Sequence, residues 1–361
     1  MIKIPQNVLD LIPYKPGKPI EEVQKELGLE RVIKLASNEN PLGASPLASE
    51  AMIESINNIH RYPDLGSVDL RVKIAKKLGK KMENIMVGSG SEGILAVFMR
   101  TFLFSDDEAV TSEGTFIGFY VQANARGIKM NMSPMKDYGF DLEKMAELIN
   151  DKTKVVYLAN PNNPTGTYFN KEQFEWFMTK VPDHTIVLLD EAYYEYANYV
   201  EDYPNGLDYD YDNLMVLRTF SKIYGIAGIR TGYAIGNERL IENMIKVKPT
   251  FEPCYTAQMG AYAALSDDKF VEDSVKLNIE GKKFLYDLFD ELGVKYVESL
   301  GNFVFTVFDS EDKVNQLNHD LIREGVIIRP LRPFGHPNSI RVTVGLPEEN
   351  EIFAEAFRKV L

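Results

Sequence analysis

A mostly parallel, doubly wound α/β sheet in a large domain, with a smaller α+β domain after it, is the fold class this 361-residue sequence predicts. Three observations predict it. From 79 to 236, short apolar runs alternate with amphipathic stretches of helical period, the pattern of strands joined by helical crossovers. Three successive runs end in an asparagine-rich turn, a carboxylate and a Ser-Lys pair, at the carboxyl edge where sheets of this kind bind ligands. Beyond Gly293 the order becomes that of an α+β unit. Residues 1–40 hold few periodic elements and prolines at 5, 13, 16 and 19, which predicts an arm packing on the small domain or on a partner subunit. The expected division is therefore an arm (1–40), a large domain (41–265) and a small domain (266–361).

Taken in order, the apolar spacing predicts helices over 47–59 and 68–78, with the Arg61-Tyr62-Pro63-Asp64 turn between them. Strands are expected at 85–87, 108–111, 128–132, 155–158, 186–189, 214–217 and 232–235, and intervening helices at 92–103, 117–126, 142–149 and 171–179. Helices over 238–246 and 256–265 follow, then a long amphipathic one over 271–292 that could bridge two domains. The small domain is expected to hold strands at 294–297, 303–308, 326–328 and 340–344, with helices over 313–323 and 348–360. No internal repeat or low-complexity segment interrupts the chain.

A formal charge of −13 argues against nucleic acid and anionic membrane as partners, since both require a positive face. Cys254 is the single cysteine, so no intrachain disulfide can form, and a reducing compartment is expected. The N-terminus lacks the apolar run of a signal peptide and no stretch is long enough to span a bilayer, which makes the cytoplasm the expected location. Four scattered histidines without ligand spacing support no metal site.

The chemistry is carried by sets of residues, not by any one of them. Gly88-Ser89-Gly90-Ser91-Glu92-Gly93 lies between a strand and a helix, where backbone N–H groups can face a phosphate. It also matches G-x-G-x-x-G, and Glu113 lies twenty residues past Gly93, so a dinucleotide fold stays open at this point, as does a plain turn. Asn160-Pro161-Asn162-Asn163-Pro164-Thr165-Gly166 follows one buried strand and Asp190 ends the next. The stretch from Leu217 to Tyr233 brings Thr219, Ser221, Lys222 and Arg230 after the third. Asn163, Asp190 and Lys222 are a donor for a phenolic oxygen, an anion for a pyridinium nitrogen and a Schiff-base amine, the set that pyridoxal phosphate requires. Two arginines on strand-like segments, Arg329 and Arg341, carry the fork that fits carboxylate or phosphate.

In order along the chain, KLASNENPLG (34–43), RYPD (61–64), NPNNPTG (160–166), DEAY (190–193), RTFSKIYGIAGIRTGY (218–233) and IRVTVG (340–345) resemble the motifs of the fold-type-I aminotransferases. The histidinol-phosphate aminotransferase group is the most similar. The resemblance implies an aspartate-aminotransferase-like fold and pyridoxal 5'-phosphate as cofactor. It implies that Lys222 forms the Schiff base, that Asp190 pairs with the ring nitrogen and that Asn163 and Tyr193 bond the ring's O3′. Phe116 would stack on the ring. Ser91, Glu92, Thr219, Ser221 and Arg230 would hold the phosphate, joined by Tyr62 from the second subunit of a homodimer. Tyr14, Asn40, Arg329 and Arg341 would contact substrate. The implied reaction moves an amino group from histidinol phosphate to 2-oxoglutarate in two half-reactions. An aromatic amino-acid aminotransferase or a threonine-phosphate decarboxylase on the same scaffold are the alternatives, with an NAD-dependent dehydrogenase more remote. Two departures from the group bear on substrate: Glu92-Gly93 where relatives continue with an acidic pair, and the run from Phe251 to Thr256.

Overall fold

The computed structural model describes residues 2–13 and 18–361. Its central strands, Ile186–Asp190 and Leu214–Thr219, are buried along their whole length, and Thr153–Ala159 nearly so. Strands buried on both faces must alternate between two apolar layers. Val156, Leu158, Val187, Leu189 and Val216 accordingly point into one core, while Val155, Tyr157, Leu188, Met215 and Leu217 point into the other. Each such aliphatic side chain stabilises the sheet by about 1.5–3 kcal/mol relative to an exposed one.

Seven strands form this sheet in the order Ile85–Gly88, Gly232–Gly236, Leu214–Thr219, Ile186–Asp190, Thr153–Ala159, Glu108–Ser112, Lys129–Ser133. All neighbours pair in parallel except Gly232–Gly236, which is antiparallel to both of its partners. Helices Gly90–Phe102, Ile117–Arg126 and Glu238–Val247 bury Ile94, Phe98, Phe119 and Ile241 against one face. Helices Val68–Leu78, Leu142–Leu148, Lys171–Met178 and Tyr255–Ala264 bury Ile74, Met145, Phe174 and Ala261 against the other. The helix at Lys171 begins where the sequence places a reciprocal cap. Asn170 Oδ1 accepts the Gln173 N–H at 3.0 Å, and Gln173 Oε1 accepts the Asn170 N–H at 2.9 Å.

The C-terminal third builds a four-stranded antiparallel sheet in the order Lys295–Val297, Phe303–Val307, Ser339–Thr343, Arg329–Pro330. Its apolar face packs on Leu285 and Leu288 of the 24-residue helix Asp268–Glu291, on Leu317 and Leu321, and on Phe353 and Phe357. Among the described residues, no helix is long and apolar enough to cross a membrane.

The N-terminal segment is more structured than its composition suggested. Helix Ile20–Leu27 buries Val23 against Ala36 and Ile327, and Ile33–Lys34 pairs in parallel with Val326–Ile327 of the small unit. Residues Gln6–Leu9 form one helical turn on the large unit, where Asn7 Nδ2 donates to the carbonyls of Asn124 at 3.0 Å and Ala125 at 3.1 Å. Elsewhere the expected elements shift in detail. The strand expected over 326–328 breaks at Ile328 and divides between two sheets, and a short hairpin, Met135–Lys136 with Gly139–Phe140, stands where no element was expected.

Candidate active site

Parallel register brings Ala159, Asp190 and Leu217 to one level on three adjacent strands. The chain therefore delivers Asn163, Asp190 and Lys222 to a single cavity of about 730 Å³ at the carboxyl edge of the sheet, with the small unit closing one side. Ser91, Glu92, Phe116, Tyr193, Thr219, Ser221, Arg230, Arg329 and Arg341 line the same cavity, as do Leu11 and Ile12 of the N-terminal segment.

Asp190 is 5% exposed and burial pushes its carboxyl up to about 6. Two hydrogen bonds pull the other way: the Tyr157 hydroxyl donates to Oδ2 at 2.8 Å and the Ala192 N–H to Oδ1 at 3.1 Å. Burial, followed by the charge of Arg341, lowers the Lys222 amine to about 7. The amine donates to the Ser37 carbonyl at 3.3 Å and stands 5.7 Å from the Tyr193 ring centre. At neutral pH a large share of Lys222 is thus uncharged and nucleophilic, which an ordinary lysine is not.

One end of the cavity is shaped for a phosphate. The strand Ile85–Gly88 turns into helix Gly90–Phe102 through Ser89, whose side chain caps nothing, so the first turn of the helix, whose Ser91 and Glu92 line the cavity, keeps its N–H groups free of a side-chain cap. The buried Ser91 hydroxyl has no hydrogen-bond partner among the described residues. Arg230, in the left-handed conformation at φ 53°, donates to Ser221 Oγ at 3.2 Å and to the Ala227 carbonyl at 2.9 Å. Gly90, at φ +73°, lies close to that guanidinium, since a Cβ there would lie 2.8 Å from Arg230 Nη2. An unpartnered hydroxyl, uncapped helix N–H groups and an arginine around a space that a methyl group would invade fit the phosphate of pyridoxal phosphate. The Thr219 hydroxyl is engaged in its own turn, accepting the Ser221 N–H at 3.1 Å and donating to the Thr231 carbonyl at 3.4 Å.

The opposite end is cationic. Arg329 and Arg341 sit opposite each other on paired strands and are 6% and 5% exposed. Their guanidinium groups approach the Phe334 ring at 5.7 and 5.8 Å. Arg341 donates to the Asn163 side-chain oxygen and, at 2.8 Å, to the Ala36 carbonyl. Phe116 stands at the start of helix Ile117–Arg126 and forms part of the wall.

Three residues expected in the site lie elsewhere or outside the description. The Asn40 amide is 7% exposed and bonded to the Ile223 carbonyl and Ser274 Oγ, both at 2.8 Å, away from the cavity lining. Tyr62 is 80% exposed, stacked on Phe251 at 4.3 Å, and does not line the cavity. Tyr14 lies outside the described residues. The 251–256 run likewise stays off the cavity lining, with the Glu252 carbonyl taken by Lys248 Nζ at 2.5 Å.

Two polar residues of the site were missed by sequence reasoning. Tyr157 holds Asp190, and the signal was available: a phenol inside an otherwise aliphatic buried strand needs a partner. Asn38 contacts Tyr193 Oη at 2.8 Å, and it belongs to the Ser-Asn-Glu-Asn run from which only Asn40 was singled out. Beneath the site, the buried Glu191 carboxylate accepts Arg218 Nη2 at 2.7 Å and Nε at 2.9 Å, a fully enclosed pair.

The strand that precedes the glycine turn, Ile85–Gly88, is the outermost of the sheet and its one neighbour is antiparallel. A dinucleotide loop leaves a strand flanked by parallel neighbours at a switch point, so the nicotinamide alternative loses its structural basis.

Comparison with known proteins gives the family. A family model described as aminotransferase class I and II matches residues 30–357. Histidinol-phosphate aminotransferase 2 of Hydrogenovibrio crunogenus is 45% identical over 359 residues, covering 98% of this chain and 95% of that protein. The crystal structure of histidinol-phosphate aminotransferase from Sinorhizobium meliloti in complex with pyridoxal-5'-phosphate superposes with a TM-score of 0.91 at 25% identity, over 100% of this chain and 98% of that one. A Thermus thermophilus aspartate aminotransferase double mutant, 22% identical, shares the fold with a TM-score of 0.86 over the full length of both chains.

Proposed function

From the premise that this chain belongs to the class I and II aminotransferases, we propose that it transfers the amino group of histidinol phosphate to 2-oxoglutarate, with pyridoxal 5'-phosphate as cofactor. The observation that carries this reading is the convergence of Lys222, Asp190 and Asn163 in one cavity bounded by a phosphate cradle and by two buried arginines. When bound, the cofactor supplies an aldehyde and an electron-withdrawing ring. The protein does the rest. Ser91, Ser221, Arg230 and the N-terminus of helix Gly90–Phe102 hold the phosphate. Asp190 presents a carboxylate for the ring nitrogen, and Asn163 and Tyr193 supply donors for the phenolic oxygen. Lys222, lowered to about 7, can take up and return a proton at its amine near neutrality. Arg329 and Arg341 receive the anionic ends of the two substrates in turn.

A shared dimer site belongs to the same reading. Ile53, Ile56, Ile59, Leu65 and Val72, which flank Tyr62 in the sequence, are all exposed, and exposed apolar residues in such number are what an interface would cover. A second copy seated there would bring its Tyr62 toward this cavity. The free Cys254 supports a reducing, cytoplasmic setting.

The apolar wall of Ile117, Val121 and Leu11 favours one competing substrate, an aromatic amino acid. The test offers the purified protein histidinol phosphate, phenylalanine or phosphothreonine, each with 2-oxoglutarate, and follows glutamate and carbon dioxide. Glutamate formed from histidinol phosphate with kcat/KM roughly 100-fold above that with phenylalanine, without carbon dioxide, is expected. The reverse preference, or carbon dioxide from phosphothreonine, would overturn the substrate assignment. Loss of the borohydride-reducible visible chromophore in Lys222→Ala tests the catalytic assignment separately.

A further inference from the structure

Asn38 is 1% exposed and holds a left-handed backbone at φ 54°. Its side chain stands between the large unit and the small one. Asn38 Nδ2 donates to Tyr193 Oη at 2.8 Å, and Asn38 Oδ1 accepts the Thr343 hydroxyl at 3.0 Å. The same Thr343 oxygen accepts the Asn38 backbone N–H at 3.0 Å, and the Asn302 amide holds the Asn38 carbonyl at 3.1 Å.

This pattern fixes which way the amide faces. Thr343 is 3% exposed, so its single proton needs an acceptor. With its lone pairs turned to the Asn38 N–H, that proton goes to Asn38 Oδ1, and the NH₂ end of the amide is left facing Tyr193. A phenol that accepts an N–H on this side keeps its own proton for another partner. Tyr193 is 3% exposed, and the cavity it lines is where that partner would be. Lys222, Asp190 and Arg341 are the charged groups facing it.

We infer that Asn38 is a positioning residue that makes Tyr193 a hydrogen-bond donor toward the cofactor's phenolic oxygen, and that Thr343 of the small unit sets its orientation. The inference rests on the proposed pyridoxal-phosphate reading of the cavity. Thr343 lies two residues beyond Arg341 on strand Ser339–Thr343, so both project from one face of one strand. Arg341 occupies the Asn163 side-chain oxygen as Asn38 occupies the Tyr193 oxygen. One small-unit strand thereby determines the polarity of both groups that face the phenolic oxygen, and displacement of that strand reaches the cofactor's electronics through Tyr193.

The test is a pH titration of the visible chromophore in the holoenzyme, because a donor on the phenolic oxygen favours the deprotonated chromophore and lowers its apparent pKa. Thr343→Val keeps the shape but removes the hydroxyl, freeing the amide to turn its oxygen to Tyr193. Asn38→Asp tolerates the left-handed backbone and presents an acceptor in place of the donor. Both should raise the apparent pKa, by up to about one unit, the tenfold that one charge-assisted hydrogen bond represents. Thr343→Ser should restore the wild-type curve. In a Tyr193→Phe background, Thr343→Val should add no further shift. A wild-type curve for Thr343→Val, or a shift that persists with phenylalanine at 193, would overturn the inference. The absence of any borohydride-reducible chromophore in the wild-type protein would instead overturn the reading beneath it. Should Thr343→Val fail to fold, Asn38→Asp decides the same question: its shift must be larger with Tyr193 present than in the Tyr193→Phe background, where only the new charge acts, and equal shifts in the two backgrounds would overturn the inference.

Discussion

Replacing Lys222 by Met in the cofactor-free protein should stabilise the fold at neutral pH, and the gain should shrink as the pH rises. The amine is lowered from an ordinary 10.5 to about 7, chiefly by burial and next by Arg341. A displacement of that size corresponds to a ceiling of about 5 kcal/mol at roughly 1.4 kcal/mol per unit. Because the amine opens on a cavity that water enters, about 2–3 kcal/mol is the expected penalty, and the pH window over which it is lost, at most 7 to 10.5, shortens in proportion. The sign follows from proton counting. Between pH 7 and 10.5 the unfolded chain holds a proton on Lys222 that the folded chain has lost, so wild-type stability rises with pH across that window. Below 7 both states hold the proton and the full penalty stands; above 10.5 neither does and it is gone. Guanidinium unfolding of wild type and Lys222→Met at pH 7, 8, 9 and 10 would show the variant ahead at pH 7 and the gap closing with a slope no steeper than about 1.4 kcal/mol per unit. Apolar burial by methionine adds an offset without a slope. A gap that does not change with pH would refute the claim that Lys222 is lowered by its surroundings.

Two further predictions address the cofactor site and its proposed sharing between subunits. Gly90→Ala places a methyl group 2.8 Å from Arg230 Nη2 at a backbone φ of +73°, so the dissociation constant for pyridoxal phosphate, measured by equilibrium dialysis, should rise at least about tenfold, and unchanged affinity would disprove the cradle. Mixing Lys222→Ala with Tyr62→Ala should recover about a quarter of wild-type turnover after subunit exchange, since half of the dimers are hybrids and each hybrid has one intact site of two. Activity no higher than the average of the two unmixed variants would mean that Tyr62 serves its own subunit.

The parts of the site that follow a buried strand were legible in the sequence, and the reason is geometric. A strand of Val, Leu and Ile that stops at a polar residue announces both the strand and the edge on which that residue stands, which is how Asn163, Asp190 and Lys222 could be grouped. Residues whose roles depend on a contact between distant parts of the chain carry no such mark. Asn38 and Thr343 are 305 positions apart, and nothing local in Ser-Asn-Glu-Asn distinguishes the asparagine facing Tyr193 from Asn40, whose amide ties the segment to Ile223 and Ser274. The short pairing of Ile33–Lys34 with Val326–Ile327 was hidden for the same reason, since two residues show no period.

These long-range contacts also explain why the N-terminal segment holds more of the site than an arm would. Its strand is fastened to the small unit, and Gly225, at φ +67°, lets the turn after Lys222 approach it so closely that a Cβ would lie 1.8 Å from the Gly43 carbonyl. Between those two anchors the chain runs from 34 to 43, presenting the Ser37 carbonyl to Lys222 and Asn38 to Tyr193. A segment held at one end by the small unit and at the other by the lysine turn has little freedom of its own. Any movement of the small unit would therefore appear at the amine and the phenol together, where the chromophore's titration would read it.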